Sequence, residues 1–268
     1  MTGMPRDGLT RRELLILPLA LPFIGAGVAA AEIQARKGTY TVDVALLYAT
    51  VMLRLTGTID ETVDRVGGRY DVRLVREGAG IANRVESSGR WQDGRWAPLR
   101  STSWFQVRGR ESRSEVLYDY GRAVVDYRFR GETFFMRRLR VVDDSLTLPN
   151  GVRVDDVMSA ILNYADGAWK PDADGLYQTY VVRRRRNDGE GPDDVDPQPR
   201  AEFAPLELRI TTDEATGKPT GLFDMTRFSS WAKKHKPARI VFGPSRRPEL
   251  ITSSLMLGTS VTIRLHES

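Results

Sequence analysis

Tyr70-Asp71-Val72-Arg73-Leu74 alternates apolar and charged side chains residue by residue. A period of two is the pattern of a β-strand with one face buried and one face wet. The same alternation returns in Val125, Tyr127 and Phe129 against Asp126, Arg128 and Arg130. It returns again in Leu206-Glu207-Leu208-Arg209-Ile210 and in Val261-Thr262-Ile263-Arg264-Leu265. One-faced strands belong to antiparallel sheets, because parallel strands covered on both faces read as continuous apolar runs. Further strand patterns cover Thr39 to Thr56, Ile81 to Gln92, Arg100 to Val107, Ser112 to Tyr120, Thr133 to Val142, Tyr177 to Arg184 and Arg239 to Phe242. Gly67-Gly68, Gly78-Ala79-Gly80, Asp93-Gly94, Gly121, Gly131 and Pro149-Asn150-Gly151 punctuate them as turns. Closely spaced strands with short polar turns predict a mostly β meander, which must curl or close to protect its edges.

One segment breaks the period. Val157, Met158, Ile161, Leu162 and Ala165 fall on one helical face, with Asp155 or Asp156 placed to cap the start and Gly167 placed to end it. The expected helix, from Asp156 to Asp166, covers the concave face of the sheet. A second short helix is expected from Asp224 to Lys234. The stretch from Asn187 to Arg200, rich in glycine, proline and acids, reads as a mobile loop.

The N-terminus reads as an export signal. Arg6, Arg11 and Arg12 precede the uncharged run Leu14 to Ala31, and Ala29 and Ala31 fit the small-residue rule for cleavage before Glu32. Thr10-Arg11-Arg12-Glu13-Leu14-Leu15 matches a twin-arginine signal in part, with an ordinary secretory signal as the other route. The run approaches spanning length, so a retained anchor is the alternative to cleavage. The expected organisation is a signal peptide at 1–31 and a single β-rich domain at 32–268, placed in the periplasm, with only peripheral membrane contact once the signal is gone. The formal charge of the chain is +5, of which the leader contributes +1. Export and the interspersed acids point away from nucleic acid and towards an anionic lipid, glycan or membrane surface.

The 268 residues include no cysteine, so disulfides, thiol nucleophiles and the lipid-anchor cysteine of a lipoprotein are all absent. The two histidines, His235 and His266, have no ligand spacing to a partner, and neither a metal site nor a cofactor is expected. Asp119 and Asp126 flank a turn and are the carboxylate pair an enzyme would use, but Arg113, Arg122, Arg128 and Arg130 answer them as ordinary cross-strand ion pairs. Arg183-Arg184-Arg185-Arg186 reads either as an anion patch for phosphate groups or as a strand end answered by Asp188, Glu190, Asp193, Asp194 and Asp196.

Tyr70 to Leu74, Gly80, Ser88-Gly89, Pro98-Leu99, Tyr118-Asp119-Tyr120 and Asp155 to Leu162 form one ordered series. In this series the chain resembles the DUF3108 family of exported bacterial proteins of unknown function, over roughly residues 39 to 265. The resemblance implies a periplasmic β-roll or half-barrel, similar to the lipoprotein carriers that hold acyl chains between a curved sheet and helices. The chain departs from those carriers in having one strong helix. The expectation is a non-catalytic protein that binds a hydrophobic or amphiphilic envelope ligand as a carrier. Trp104, Tyr118, Tyr120, Tyr127, Phe129 and Ile161 would form the ligand surface. The alternative is a structural or scaffolding module that docks an envelope protein through a strand edge.

Overall fold

The computed structural model describes residues 33–46, 51–78, 80–107, 109–133, 135–187, 190–191, 193–229, 232–255 and 258–267. The expected signal peptide at 1–31 lies outside the described residues.

Alternation produces strands almost everywhere it occurs. The first eight are β1 (Ile33–Leu46), β2 (Val51–Asp64), β3 (Arg69–Gly78), β4 (Ile81–Gln92), β5 (Arg95–Val107), β6 (Arg110–Asp119), β7 (Val124–Glu132) and β8 (Leu139–Thr147). Helix α1 (Val157–Ala165) follows. The chain then returns through β9 (Leu176–Arg184), β10 (Ala201–Thr212), β11 (Pro219–Phe223), β12 (Ala238–Phe242), β13 (Pro248–Ser254) and β14 (Ser260–Glu267). Consecutive strands pair antiparallel within β1–β8 and within β9–β14, and the β1–β14 pairing sews the two meanders into one sheet ordered β8 to β1, then β14 to β9.

The sheet rolls up, and its two ends overlap. Tyr180, Val182, Phe203 and Ala201 of β9 and β10 pack against Val116, Tyr118, Val125, Tyr127 and Val142 of β6 to β8. The opposite face of the same two strands, through Tyr177, Leu206 and Leu208, packs against Ala160 and Tyr164 of α1. β9 is thus buried on both sides. Its free edge is also occupied: Tyr180 N donates to Arg153 O at 3.0 Å, and Asp155 N donates to Tyr180 O at 2.8 Å.

Rolling a long sheet needs places where it can bend, and two glycines supply them beneath aromatic rings. Gly89 lies directly opposite Tyr70, beside the register shift between Ser88 and Gly89. A β-carbon there would sit 2.2 Å from Ala97 O and 2.5 Å from the Tyr70 ring. Gly57 lies opposite Tyr40 in the same way, and a β-carbon would meet the Tyr40 ring at 2.4 Å. The ring covers the backbone that the missing side chain exposes, and the strand can coil at that point.

Three expectations are corrected. Thr39 to Thr56 forms not one strand but parts of two, β1 and β2, paired through Leu46 and Val51. The strand expected from Thr133 to Val142 starts at Leu139, after a turn in which Thr133 N bonds Arg138 O, and runs on to Thr147. The expected second helix shrinks to a 3₁₀ turn, Met225–Arg227, capped by Asp224. β11 and β13 escape the sequence reading because Pro219-Thr220-Gly221 and Ser253-Ser254 carry little alternation.

Candidate functional site

The site is the lumen of the roll, and α1 shapes it. Helix residues Ser159, Ala160, Leu162, Asn163 and Tyr164 are buried, whereas Val157 is 55% exposed at the mouth. The helix is therefore held by a mixed polar and apolar face rather than by the apolar stripe alone. Asn163 clamps the backbone of Trp96: its Oδ1 accepts from Trp96 N at 2.7 Å and its Nδ2 donates to Trp96 O at 2.8 Å. The Trp96 indole, itself buried, donates to Asp166 Oδ2 at 2.9 Å and meets Tyr70 and Trp91 edge-on.

Two adjacent carboxylates anchor the start of the helix in different ways. Asp155 is completely buried. It accepts from Arg95 Nη1 at 2.7 Å, Arg153 Nε at 2.6 Å, Thr179 Oγ1 at 2.7 Å and Asn163 Nδ2 at 3.2 Å. Asp156 is the N-cap, accepting from Ser159 N at 2.7 Å and from Ser87 Oγ at 2.5 Å. Burial raises the Asp156 pKa above the usual carboxylate range, against the lowering effect of the Ser159 and Ser87 hydrogen bonds. Ser159 Oγ completes the capping box by accepting from Asp156 N at 2.9 Å. Replacing Ser159 by Ala should cost about 1 kcal/mol of stability, read as a lower urea midpoint with unchanged slope.

Fixed in this way, α1 leaves two cavities inside the roll. The first, of about 360 Å³, lies between α1 and the β1–β3 and β13–β14 walls, lined by Tyr40, Val42, Val72, Leu74, Ile263 and Leu265 among others. The second, of about 320 Å³, lies between α1 and β9–β12, and its lining is wholly apolar: Leu206, Leu208, Phe223, Ile240 and Phe242 with Trp169. Val157, Ile161 and Ile251 line both, so the two spaces meet along one side of the helix. Each falls within the size range of small-molecule pockets, roughly 300 to 1,000 Å³.

Of the six residues expected to hold a ligand, Ile161 lines these two cavities, and Trp104 and Phe129 line a separate, charge-rimmed space of about 700 Å³ with Arg84, Arg113 and Arg130. Tyr118 and Tyr127 are buried in the β6–β8 core, with Tyr120 and Phe129 packed against it, where β9 and β10 fill the space in front of them. Trp104 lies on the other face. Its partners in register are Arg84 and Arg113, and its indole donates to Glu111 Oε1 at 2.7 Å. The shift at Ser88/Gly89 puts Ser101 and Ser103, not Trp104, on the inward phase.

The four arginines at the end of β9 are answered locally: Arg183 pairs with Glu202 at 2.6 Å, Arg184 pairs with Glu190, Arg186 donates to Thr226 O at 3.1 Å while still feeling the charges of Arg183 and Arg184, and Arg185 is exposed. The loop at 187–200 is joined to the β7–β8 region, with Asp193 Oδ1 accepting from Phe135 N at 2.9 Å and Met136 N at 2.7 Å. Asp119 is held by Arg122 at 2.6 Å, and the hydrogen bonds from Arg122 keep its carboxyl below the usual range.

Sequence reading missed Arg76. It continues the inward phase of Tyr70, Val72 and Leu74, and is 7% exposed in the wall of the first cavity. A cation on the apolar phase of an alternating strand was the available signal.

No protein-family model matches the chain, and no curated protein matches it. Membership of the DUF3108 family is accordingly not shown. Among solved structures, the chain is similar to a β-barrel-like protein of the domain of unknown function DUF1849 from Brucella abortus, at 12% identity and a TM-score of 0.39, covering 89% of this chain and 100% of that one. It is also similar to a domain assigned as an outer membrane lipoprotein-sorting protein from Vibrio parahaemolyticus, at 8% identity and a TM-score of 0.24, covering 87% of this chain and 86% of that one.

Proposed function

We propose that this protein is a non-catalytic carrier of the bacterial envelope that holds the apolar part of an amphiphile inside its roll. One observation carries the reading: the second cavity has only apolar side chains around about 320 Å³ of space, next to a second space of similar size. A core optimised for stability alone is packed to crystal density, with few voids larger than a water molecule. Retaining this much room forfeits contact energy, and a guest that fills the room restores it. The exposed Val157 at the mouth supplies an apolar way in. The leader-like N-terminus supports export to the periplasm. The scaffolding alternative loses ground because β9, one end of the sheet, has its edge bonded to residues 153–155.

The test is purification of the full chain from a bacterial host, followed by native mass spectrometry and extraction. The expected result is a co-purifying lipid in the mass range of one acyl-chain amphiphile. After delipidation, the neutral probe N-phenyl-1-naphthylamine should bind with a micromolar or lower dissociation constant. A protein that yields no lipid and does not bind the probe is not a carrier.

A further inference from the structure

The first cavity is not uniformly greasy, and Arg76 stands in its wall. The side chain is more than nine-tenths buried, and its Nε and Nη2 are shut off from solvent with no hydrogen-bond partner among the described residues. Arg247, the other buried arginine of the same cavity, is answered by Glu61 at 2.6 Å. No acidic side chain among the described residues forms an ion pair with Arg76. The register places it opposite Gly57 on β2 and Asn83 on β4. Gly57 has no side chain to crowd it, and the neighbouring Tyr40 ring occupies that gap. Burial lowers the Arg76 pKa and raises that of Tyr40, with the cation and the phenol each opposing the other's shift.

An unpaired buried guanidinium is among the costliest groups a protein can keep. It persists where the partner arrives from outside. A guanidinium whose charge no neighbour balances favours an oxyanion, carboxylate or phosphate, through charge-assisted hydrogen bonding. The same lining holds Val42, Leu74, Ile263 and Leu265, which suit an apolar chain, beside the further basic residues Arg36 and Lys37. From this pairing of a bare cation with an apolar wall, we propose that Arg76 is the headgroup receptor of the lumen, selecting an anionic amphiphile whose tail lies along α1. The proposal rests on the carrier reading above and adds the charge of the cargo to it.

The experiment uses the delipidated full chain with bound N-phenyl-1-naphthylamine, displaced in turn by palmitate, monohexadecyl phosphate and hexadecanol. These share a sixteen-carbon tail and differ in headgroup. In the wild type, at least one anion should displace the probe at about tenfold lower concentration than hexadecanol, the worth of one charge-assisted contact. Preference for palmitate alone assigns a carboxylate, and equal preference for both anions assigns the shared oxyanion. In Arg76→Met the anion preference, read as the ratio of anion to hexadecanol displacement within that variant, should fall to within about twofold. Because the substitution removes an unpaired buried charge, Tm should hold or rise. Arg76→Lys should keep a cation and part of the preference. A wild type that ranks all three competitors equally overturns the proposal and leaves the carrier reading intact. So does an Arg76→Met variant with undiminished anion preference. Failure of the probe to bind the wild type at all removes the carrier reading itself.

Discussion

Asp155→Asn should destabilise the protein by about 3 kcal/mol, the lower end of the cost of breaking a buried ion pair by removing one partner. The carboxylate has no exposure, and all its hydrogen-bond partners are donors: two guanidiniums, two hydroxyls and an amide. An asparagine of the same shape removes the negative charge and turns an N–H₂ towards one of those donors. Arg95 and Arg153, at 15% and 20% side-chain exposure, can recover some hydration, which places the loss at the lower end. Asp156→Asn is the contrasting neighbour. Its partners are Ser159 N and the Ser87 hydroxyl, and that hydroxyl can turn to donate elsewhere, so the loss should stay within about 1 kcal/mol. Asp156 also carries a pH response. The folded-state pKa of Asp156 is raised, so its contribution is full below the unfolded carboxylate pKa and is lost as pH rises through the folded value. Asp156→Asn should therefore gain on the wild type as pH rises, the stability difference between the two shrinking or reversing between pH 3 and pH 7 in urea unfolding. A loss below about 1 kcal/mol for Asp155→Asn would mean that this network does not hold the helix.

These two carboxylates also mark how far the sequence could be read. That Asp155 or Asp156 caps the helix followed from position alone, the structure assigns the cap to Asp156, and α1 lies within a residue of the expected span at each end. Strand phase was equally legible, because Tyr70, Val72 and Leu74 repeat every second residue and the roll obeys that repeat. The lumen was harder to see. Which aromatic residues line space and which fill it depends on where β9 and β10 fold back, a contact between residues some 60 positions apart that no local pattern encodes. Trp104 was misplaced for a smaller reason. The irregularity at Ser88/Gly89 reverses which residues of β5 point inward, and a one-residue slip exchanges the two faces of a strand. Of the two readings of Arg183 to Arg186, the strand end answered by acids was visible in the sequence through Glu190, which pairs with Arg184, whereas Glu202, the partner of Arg183, came from the facing strand.

Ile161→Trp should weaken binding of N-phenyl-1-naphthylamine to the delipidated protein by tenfold or more while leaving the fold in place. Ile161 lines both cavities, so a larger side chain there intrudes on the space the carrier reading assigns to the guest. The helix can tolerate the change because its anchors lie elsewhere. At about 100° per residue, Ser159 and Asn163 share one side of α1, and Ile161 lies close to the opposite side. Overfilling a packed core costs roughly 1 to 3 kcal/mol, but here the added rings enter existing space, so the change in stability should stay within about 1 kcal/mol. Binding and stability are thereby separated in one variant: the urea midpoint reports the Asn163–Trp96 clamp and the Asp155 network, and the probe titration reports the void. A variant that unfolds at the wild-type midpoint and binds the probe with wild-type affinity would place the guest outside the roll. An affinity loss at constant midpoint is expected only if the guest lies along the helix.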